Sequence, residues 1–358
     1  MTKSLIISCC KDKFIIKKNY FRSMILVTGG TGLVGAHLLY QLSLNNTSVV
    51  AIHRESSDLN AVKNVFSYYT DDFENLFDKI IWKIADINDI PSLVAAYIGI
   101  THVYHCAAVI SFNKKDEPLL RKVNIEGTAN MVNLALDHTI EKFCFVSSIA
   151  TISKAFDNSE ITEENEWNPA EKNSGYAISK YGAEAEVWRG SQEGLDVIIV
   201  NPGMILGAGY WYTGTGKLFD LIHKGFKFYT EGITGYVGVE DVVKSLLLFM
   251  KSSIKNERFI VVAENRSFKE VLFSIADGFS KKRPSIKVTP FLSKIAWRLA
   301  SLKSFFSNED PFISKESLRA STKESYYSND KVKSILNFEF EPLINCINKV
   351  CNNYKQGH

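Results

Sequence analysis

The 358-residue sequence predicts an α/β protein with a doubly wound parallel sheet of the Rossmann type, followed by a smaller, mostly helical C-terminal lobe. Three observations carry this. From Met24 onward, short apolar runs rich in Val, Ile, Phe and Tyr alternate with stretches of helical period. A glycine-rich segment, Gly29 to Gly35, lies between the first run and the first helix. After Asn201 the alternation stops, and Gly and aromatic residues crowd residues 203–235.

The strand candidates are 25–28, 48–53, 80–84, 102–106, 142–147 and 197–201. They read as continuous apolar runs, as strands do when helices cover both faces of a parallel sheet. Helical spacing is clearest over 34–44, 119–137 and 176–190. Beyond residue 235 a helix begins near Glu240 and Asp241, with Asp241 read as its N-cap. A strand-like stretch follows at 258–263, then helices near 267–278, 290–306, 329–337 and from 342 to about 354. Residues 24–202 thus form the sheet domain and 203–358 the second lobe, with 236–264 returning to the sheet. Residues 1–23 stand apart: Met24 opens directly into a strand, so this basic segment is either a loose extension or the product of a start codon upstream of the natural one.

Composition excludes several classes. A formal net charge of +3 gives no case for a nucleic-acid partner. No run of eighteen apolar residues exists, so no membrane span is expected, and a cytoplasmic location follows. The 290–306 stretch sets Phe291, Ile295, Leu299 and Leu302 opposite Lys294 and Arg298, a pattern of core packing or of a contact surface. The six cysteines contain no CxxC and read as free thiols. His102 and His105, three apart on a strand, point to opposite faces, so no metal site is expected.

Gly30-x-Gly32-x-x-Gly35 sits between strand and helix, the context in which glycines let backbone N–H groups and a helix N-terminus approach a pyrophosphate. A dinucleotide is the expected ligand, with Gly29, Thr31, Gly32, Leu33 and Gly35 against it. An NAD site usually carries an acid at the end of the second strand; here His53-Arg54 stands there, and Arg54 suits a 2′-phosphate, so NADP(H) is favoured over NAD(H).

Tyr176-x-x-x-Lys180 has the spacing that places phenol and ammonium on one helix face. The ammonium is expected to pull the phenol's pKa from about 10 toward neutrality, making Tyr176 a general acid or base on a carbonyl/alcohol pair. Ser148, at the end of a strand, can hydrogen-bond the same substrate oxygen.

With these motifs the chain resembles the extended short-chain dehydrogenases/reductases, the NAD-dependent epimerase/dehydratase superfamily. It is most similar to their dihydroflavonol-reductase and 3β-hydroxysteroid-dehydrogenase-like branch. The resemblance runs from Met24 to the C-terminus. It rests on residues 28–35, Asp86-Ile87, 105–108, 123–128, Val146-Ser147-Ser148, 176–180 and Asn201-Pro202-Gly203. It implies that Asp86 and Ile87 contact the adenine, and that Cys106, Ala107 and Ala108 line the pyrophosphate and ribose. Tyr176 is then the proton donor or acceptor, Lys180 also holds the nicotinamide ribose, and Pro202 meets the nicotinamide. It also implies a homodimer through helices around 119–137 and 174–190. Read from the residues alone, Asp86 caps a turn and Asn124 fixes a helix kink.

One departure bears on substrate. Nucleotide-sugar epimerases carry an Arg-Tyr-Phe-Asn…Gly-Pro-Arg-like stretch after the sixth strand, where this chain has Asn201-Pro202-Gly203-Met204-Ile205-Leu206-Gly207. Between Arg189 and Arg258 there is no arginine; Lys217, Lys224 and Lys227 are the cations near the expected site. Tyr210, Trp211, Tyr212, Phe226, Phe228 and Tyr229, joined by Phe112 and Trp167, are expected to roof it, unless they form the lobe's own core. The leading reading is an NAD(P)-dependent oxidoreductase acting on a small apolar carbonyl compound or secondary alcohol through Ser148, Tyr176 and Lys180. The alternatives are a nucleotide-sugar epimerase or dehydratase, and a non-catalytic NAD(P)-binding regulator.

Overall fold

The computed structural model describes residues 24–45, 48–154, 160–289, 318–319 and 321–357. Its strands are β1 (Met24–Thr28), β2 (Ser48–His53), β3 (Ile80–Ile84), β4 (His102–His105), β5 (Lys142–Val146), β6 (Val197–Pro202), β7 (Met204–Leu206), β8 (Phe228–Tyr229), β9 (Ile233–Gly238), β10 (Glu257–Val261), β11 (Glu264–Ser267) and β12 (Ile286–Lys287). The α-helices are α1 (Leu33–Ser43), α2 (Leu59–Ser67), α3 (Phe73–Asp78), α4 (Ile90–Tyr97), α5 (Glu117–Leu120), α6 (Gly127–Asp137), α7 (Gly175–Gln192), α8 (Gly216–His223), α9 (Val239–Lys251), α10 (Phe268–Gly278), α11 (Asp330–Leu336) and α12 (Leu343–Gly357).

Seven strands pair in parallel in the order β10-β6-β5-β4-β1-β2-β3. The period-two alternation of the strands supplies a core to each face. Val27, Val49, Ala51, Tyr104, Cys144, Ile198 and Phe259 pack beneath α1, α2, α3 and α9. Leu26, Val50, Val103, Phe143, Phe145 and Ile199 pack beneath α4, α6 and α7. Burial of each such side chain contributes about 1.5–3 kcal/mol, which is why these runs hold as strands whatever their local propensity. The order reverses between β1 and β4, so a crevice opens at the carboxyl ends of those two strands, where open α/β sheets bind ligands.

The second lobe is built on α8, α10 and α12 and carries two small sheets, β11-β9-β7 and β12-β8. Its core holds Trp211, Phe219, Ile275, Phe279, Ile347 and Tyr354. Between the two parts, β7 leaves β6 directly, and β10 comes back to pair with β6 along Glu257↔Ile198 to Val261↔Pro202.

Two local readings need correction. Asp241 is not an N-cap: Gly238 occupies that position without a side-chain bond. Asp241 instead lies in the first turn and accepts the Glu341 amide at 3.0 Å, tying α9 to the chain before α12. Burial raises its pKa to about 6. The expected helix over 290–306 lies outside the described residues, as do the residue 1–23 segment, Cys9 and Cys10. Cys106, Cys144, Cys346 and Cys351 are free thiols. Among the described residues no cluster of metal-ligating side chains occurs, and no helix is long and apolar enough to cross a membrane.

Candidate active site

The glycine loop forms a tight cradle at the end of β1. Gly29 has φ +68°, which an L side chain adopts only at a cost. A Cβ there would fall 2.6 Å from the Ala107 amide, so the loop after β1 and the loop after β4 touch backbone to backbone. The α1 N-cap is Gly32, with no side-chain cap and no acid in the first turn, so its leading N–H groups are left to an external anion. Leu33 packs toward Gly207 of the second lobe, and Thr31 is half-buried at the loop's tip. These residues fit a dinucleotide pyrophosphate, because a closer-packed loop would need side chains the glycines lack.

A hydrogen-bond chain fixes the crevice wall. The Ala107 amide donates to Thr28 Oγ1 at 3.2 Å, and Thr28 Oγ1 lies 2.6 Å from His105 Nδ1. His105 Nε2 lies 2.9 Å from Thr128 Oγ1, which donates to the Asn124 carbonyl at 2.6 Å. Every proton in this chain is accounted for if His105 is neutral with its hydrogen on Nε2. Burial agrees, since it holds the His105 pKa down at about 3, with the Lys180 ammonium adding to the effect. His105 is therefore a structural tie beneath the cofactor loops. His102 faces Glu141 at 3.9 Å on the other side.

At the far end of the crevice an open cleft of about 580 Å³ is lined by Arg54, Glu55, Ser56, Ile84, Ala85, Asp86, Asp89 and Ser92. Arg54 is exposed at the end of β2. Asp86 caps its turn, accepting the Asn88 amide at 2.8 Å, and still faces this cleft. Ile87 is buried, with its side chain under Gly127 of α6. Cys106 and Ala107 are half-buried and Ala108 exposed on the β4 side, and Pro202 is buried at the end of β6.

Tyr176 and Lys180 stand one turn apart on α7, above the end of β5. Ser174 caps that helix through the Ala177 amide. Ser148 Oγ accepts from the Ala150 amide at 3.1 Å, and its hydroxyl acts to lower the pKa of the Tyr176 phenol. Lys180 is 2% exposed; its Nζ donates to the Val146 carbonyl at 2.8 Å and lies 4.2 Å from the Phe145 ring centroid. Burial brings the Lys180 pKa down to about 7, partly offset by Glu184.

The expected lowering of the tyrosine is not what the structure shows. Burial raises the Tyr176 pKa, against a smaller lowering from Ser148. The ammonium that was to lower it is turned to Val146 and is itself depressed by desolvation. Asn124 holds the loop above the site: it accepts the Val109 amide at 2.8 Å and donates to the Val109 carbonyl and Ser179 Oγ, both at 2.9 Å. It sits in a π-helical segment, Arg121–Glu126, joining α5 to α6, and its side chain ties that segment to the loop after β4 and to α7.

A family model for the NAD-dependent epimerase/dehydratase family matches residues 25–263, about two thirds of the chain. The chain belongs to that family. Within it, a Synechocystis sp. protein provisionally named dihydroflavonol 4-reductase is 32% identical over 255 residues, covering 69% of each chain. Sterol demethylase protein B of Methylococcus capsulatus is 27% identical over 271 residues, covering 75% of this chain and 78% of its own. Among solved structures, the UDP-glucose 4-epimerase of Thermotoga maritima with UDP-glucose superposes with a TM-score of 0.75 at 19% identity, covering 93% of this chain and 99% of that one, which shows the shared fold.

As a member of this epimerase/dehydratase family, the chain places its roof differently from expectation. Phe112 does lie beside the phenol, its ring centroid 5.8 Å from that of Tyr176. Trp167 instead stacks on Tyr181 at 4.5 Å, and Trp211 is buried in the lobe core against Tyr354. Phe226 pairs with Phe228, Tyr229 packs on Phe273, and Tyr212 is largely exposed. The sequence reading missed Glu184, Asn201, Thr151 and Arg258, which form a buried polar network behind Ser148. A signal for Glu184 existed: it repeats the Tyr176–Lys180 spacing one turn further on.

Proposed function

We propose that this protein is an NAD(P)-dependent oxidoreductase that moves a hydride between the nicotinamide and an apolar carbonyl compound or secondary alcohol. What supports the reading is the position of Tyr176 and a buried Lys180 one turn apart on α7, beside the turn that Ser148 caps, at the mouth of a dinucleotide crevice. When bound, the dinucleotide supplies or takes the hydride. The chain's own residues handle the proton and the orientation. Because burial keeps Tyr176 protonated, its phenol is set to donate to the oxygen of a carbonyl as that oxygen gains charge. Ser148, whose oxygen already accepts from Ala150, has its hydroxyl hydrogen left to bond the same oxygen. Lys180 would exchange its Val146 carbonyl for the nicotinamide ribose.

The substrate class follows from what surrounds the phenol. Phe112, 37% exposed, and Ile110, 62% exposed, offer apolar surface on the loop that Asn124 holds. Residues 190–257 contain no arginine to clamp a diphosphate. A dihydroflavonol and a sterol, the compounds named in the two relatives, both lack a diphosphate. The second reading, a nucleotide-sugar epimerase or dehydratase, is favoured by the full-length likeness to a UDP-glucose 4-epimerase. Calorimetry on the cofactor-loaded protein separates the two. No binding of UDP or dTDP is expected at millimolar concentration; micromolar binding of either would transfer the case to the epimerase reading.

We infer NADP(H) as the preferred cofactor, from Arg54 at the rim of the adenine-end cleft. Glu55, Asp86 and Asp89 line the same cleft, and Arg54 is its cationic residue, the one that can form an ion pair with a 2′-phosphate. Charge-assisted hydrogen bonds of this kind contribute about 1.5–3 kcal/mol. Arg54→Ala should therefore weaken NADPH about tenfold to a hundredfold and leave NADH nearly unchanged, as read by fluorescence titration. A wild-type preference for NADH would show the inference to be wrong.

A further inference from the structure

We propose that Glu184 is a positioning residue for this site: it locks the segment that presents Ser148 to Tyr176, and it supplies the negative charge facing Lys180. The proposal rests on the Ser148–Tyr176–Lys180 reading above and extends it to a fourth side chain. Tyr176, Lys180 and Glu184 fall at i, i+4 and i+8 on α7, one stripe directed at the end of β5.

The contacts of Glu184 are specific. Its side chain is 3% exposed. Oε2 accepts from Ser147 Oγ at 2.6 Å, from Thr151 Oγ1 at 2.9 Å and from Asn201 Nδ2 at 2.9 Å. Ser147 precedes Ser148 in the chain and Thr151 closes the single 3-10 turn that Ser148 caps. Asn201 Nδ2 also reaches the Ser148 carbonyl at 3.1 Å. Three of the carboxylate's partners thus hold the backbone on both sides of Ser148. Lys180, one turn earlier, holds the same segment through Val146. Oε1 faces Arg258 Nη1 at 3.3 Å, and Arg258 in turn donates to the carbonyls of Glu163 and Asn165 in the chain leading to α7. A carboxylate buried with this many donors is far more than a helix needs for stability, and its placing selects the one turn that carries the serine.

The electrostatic half follows from the groups around Lys180. Those acting on it are Glu184 on its own helix and His105 and Cys106 at the end of β4. His105 and Tyr176 are neutral near pH 7, and burial pushes the Cys106 thiol up to about 12, so it is neutral too. Glu184 is left as the charged partner that favours the ammonium. Glu163 and Arg258 act on Lys180 only beyond Glu184. Removing the charge therefore lowers the Lys180 pKa further, and any step that needs the ammonium is lost at a lower pH.

The test uses the full-length protein with a substrate that the wild type turns over. Tyr176→Phe is measured first: if it is fully active, the catalytic reading fails, and this proposal with it, before Glu184 is touched. Glu184→Gln, Thr151→Val and Ser147→Ala are then compared for kcat and KM between about pH 5 and 9. Glu184→Gln should lose about a hundredfold in kcat, the scale of a misplaced catalytic group, with KM within about twofold. Its alkaline limb should move down by about one pH unit. Thr151→Val and Ser147→Ala, which keep the charge, should lose kcat and leave the limb in place. A Glu184→Gln enzyme with the wild-type limb overturns the proposal, whether its activity is high or low. Should Glu184→Gln fail to fold, wild-type kcat in both hydroxyl variants overturns it equally.

Discussion

Replacing Tyr176 by Phe is expected to lower turnover by about 10²- to 10⁴-fold, the range a positioned general acid contributes, while cofactor affinity stays close to that of the wild type. The substitution removes one oxygen. The ring contact with Phe112 survives, and so does the helix, since Ser174 rather than Tyr176 caps it. What is lost is the hydroxyl and the proton that burial holds on it. The split between kcat and the dissociation constant for the dinucleotide is the measurement. A fall in kcat with both the melting temperature and the cofactor constant unmoved is the expected pattern. Near-normal turnover on a confirmed substrate would remove Tyr176 from the chemistry.

The sheet and the cradle were legible because each is written in local pattern. The runs at 48–53 and 80–84 recur as β2 and β3 with the same bounds; β2 is buried on both faces, and β3 is the sheet's edge strand, recognised by its β-branched and aromatic residues. The glycines of the cradle are legible for a similar reason: a short βα turn with φ +68° at Gly29 has few other sequences open to it. The polar network was not legible. Glu184 reads as one more charged residue on a helix, and Arg258 as a residue 74 positions away in another strand. Only the parallel pairing of β10 with β6 brings them together. The placing of Trp211 in the roof failed for the converse reason. Composition alone cannot tell a Trp that lines a site from one that fills a core, and the contact with Tyr354 decides for the core.

The tyrosine shows how proximity misleads when desolvation is left out. Helical spacing does bring Lys180 near Tyr176, yet the same burial that makes the pair close also lowers the lysine and raises the phenol. The ammonium donates to the Val146 carbonyl and not to the phenol. Tyr176 is thus held protonated at neutral pH, a state that suits proton donation, while Lys180, brought down to about 7, keeps part of its charge.

Gly35→Ala should remove dinucleotide binding and destabilise the fold together. A Cβ at Gly35 would lie 2.1 Å from the Gly29 carbonyl oxygen, 2.7 Å from its carbon and 2.8 Å from Gly30 Cα. All three are backbone atoms, so no side chain can swing away, and the loop itself must open. Overpacking of this sort costs about 1–3 kcal/mol. The displaced atoms are those that shape the pyrophosphate cradle, so the affinity for NADPH should fall by at least the same amount, about tenfold to a hundredfold. Gly32→Ala is the informative control. Gly32 has an extended backbone that any residue adopts, and its Cβ would meet only the Gly29 oxygen at 3.4 Å. That variant should melt close to the wild type, and any loss of NADPH affinity it shows reports the approach of the ligand and not the packing of the loop. Thermal melts and titrations on the two variants separate these terms. If Gly35→Ala melts and binds like the wild type, the loop is not the close-packed cradle described above, and the dinucleotide must be held elsewhere along the crevice.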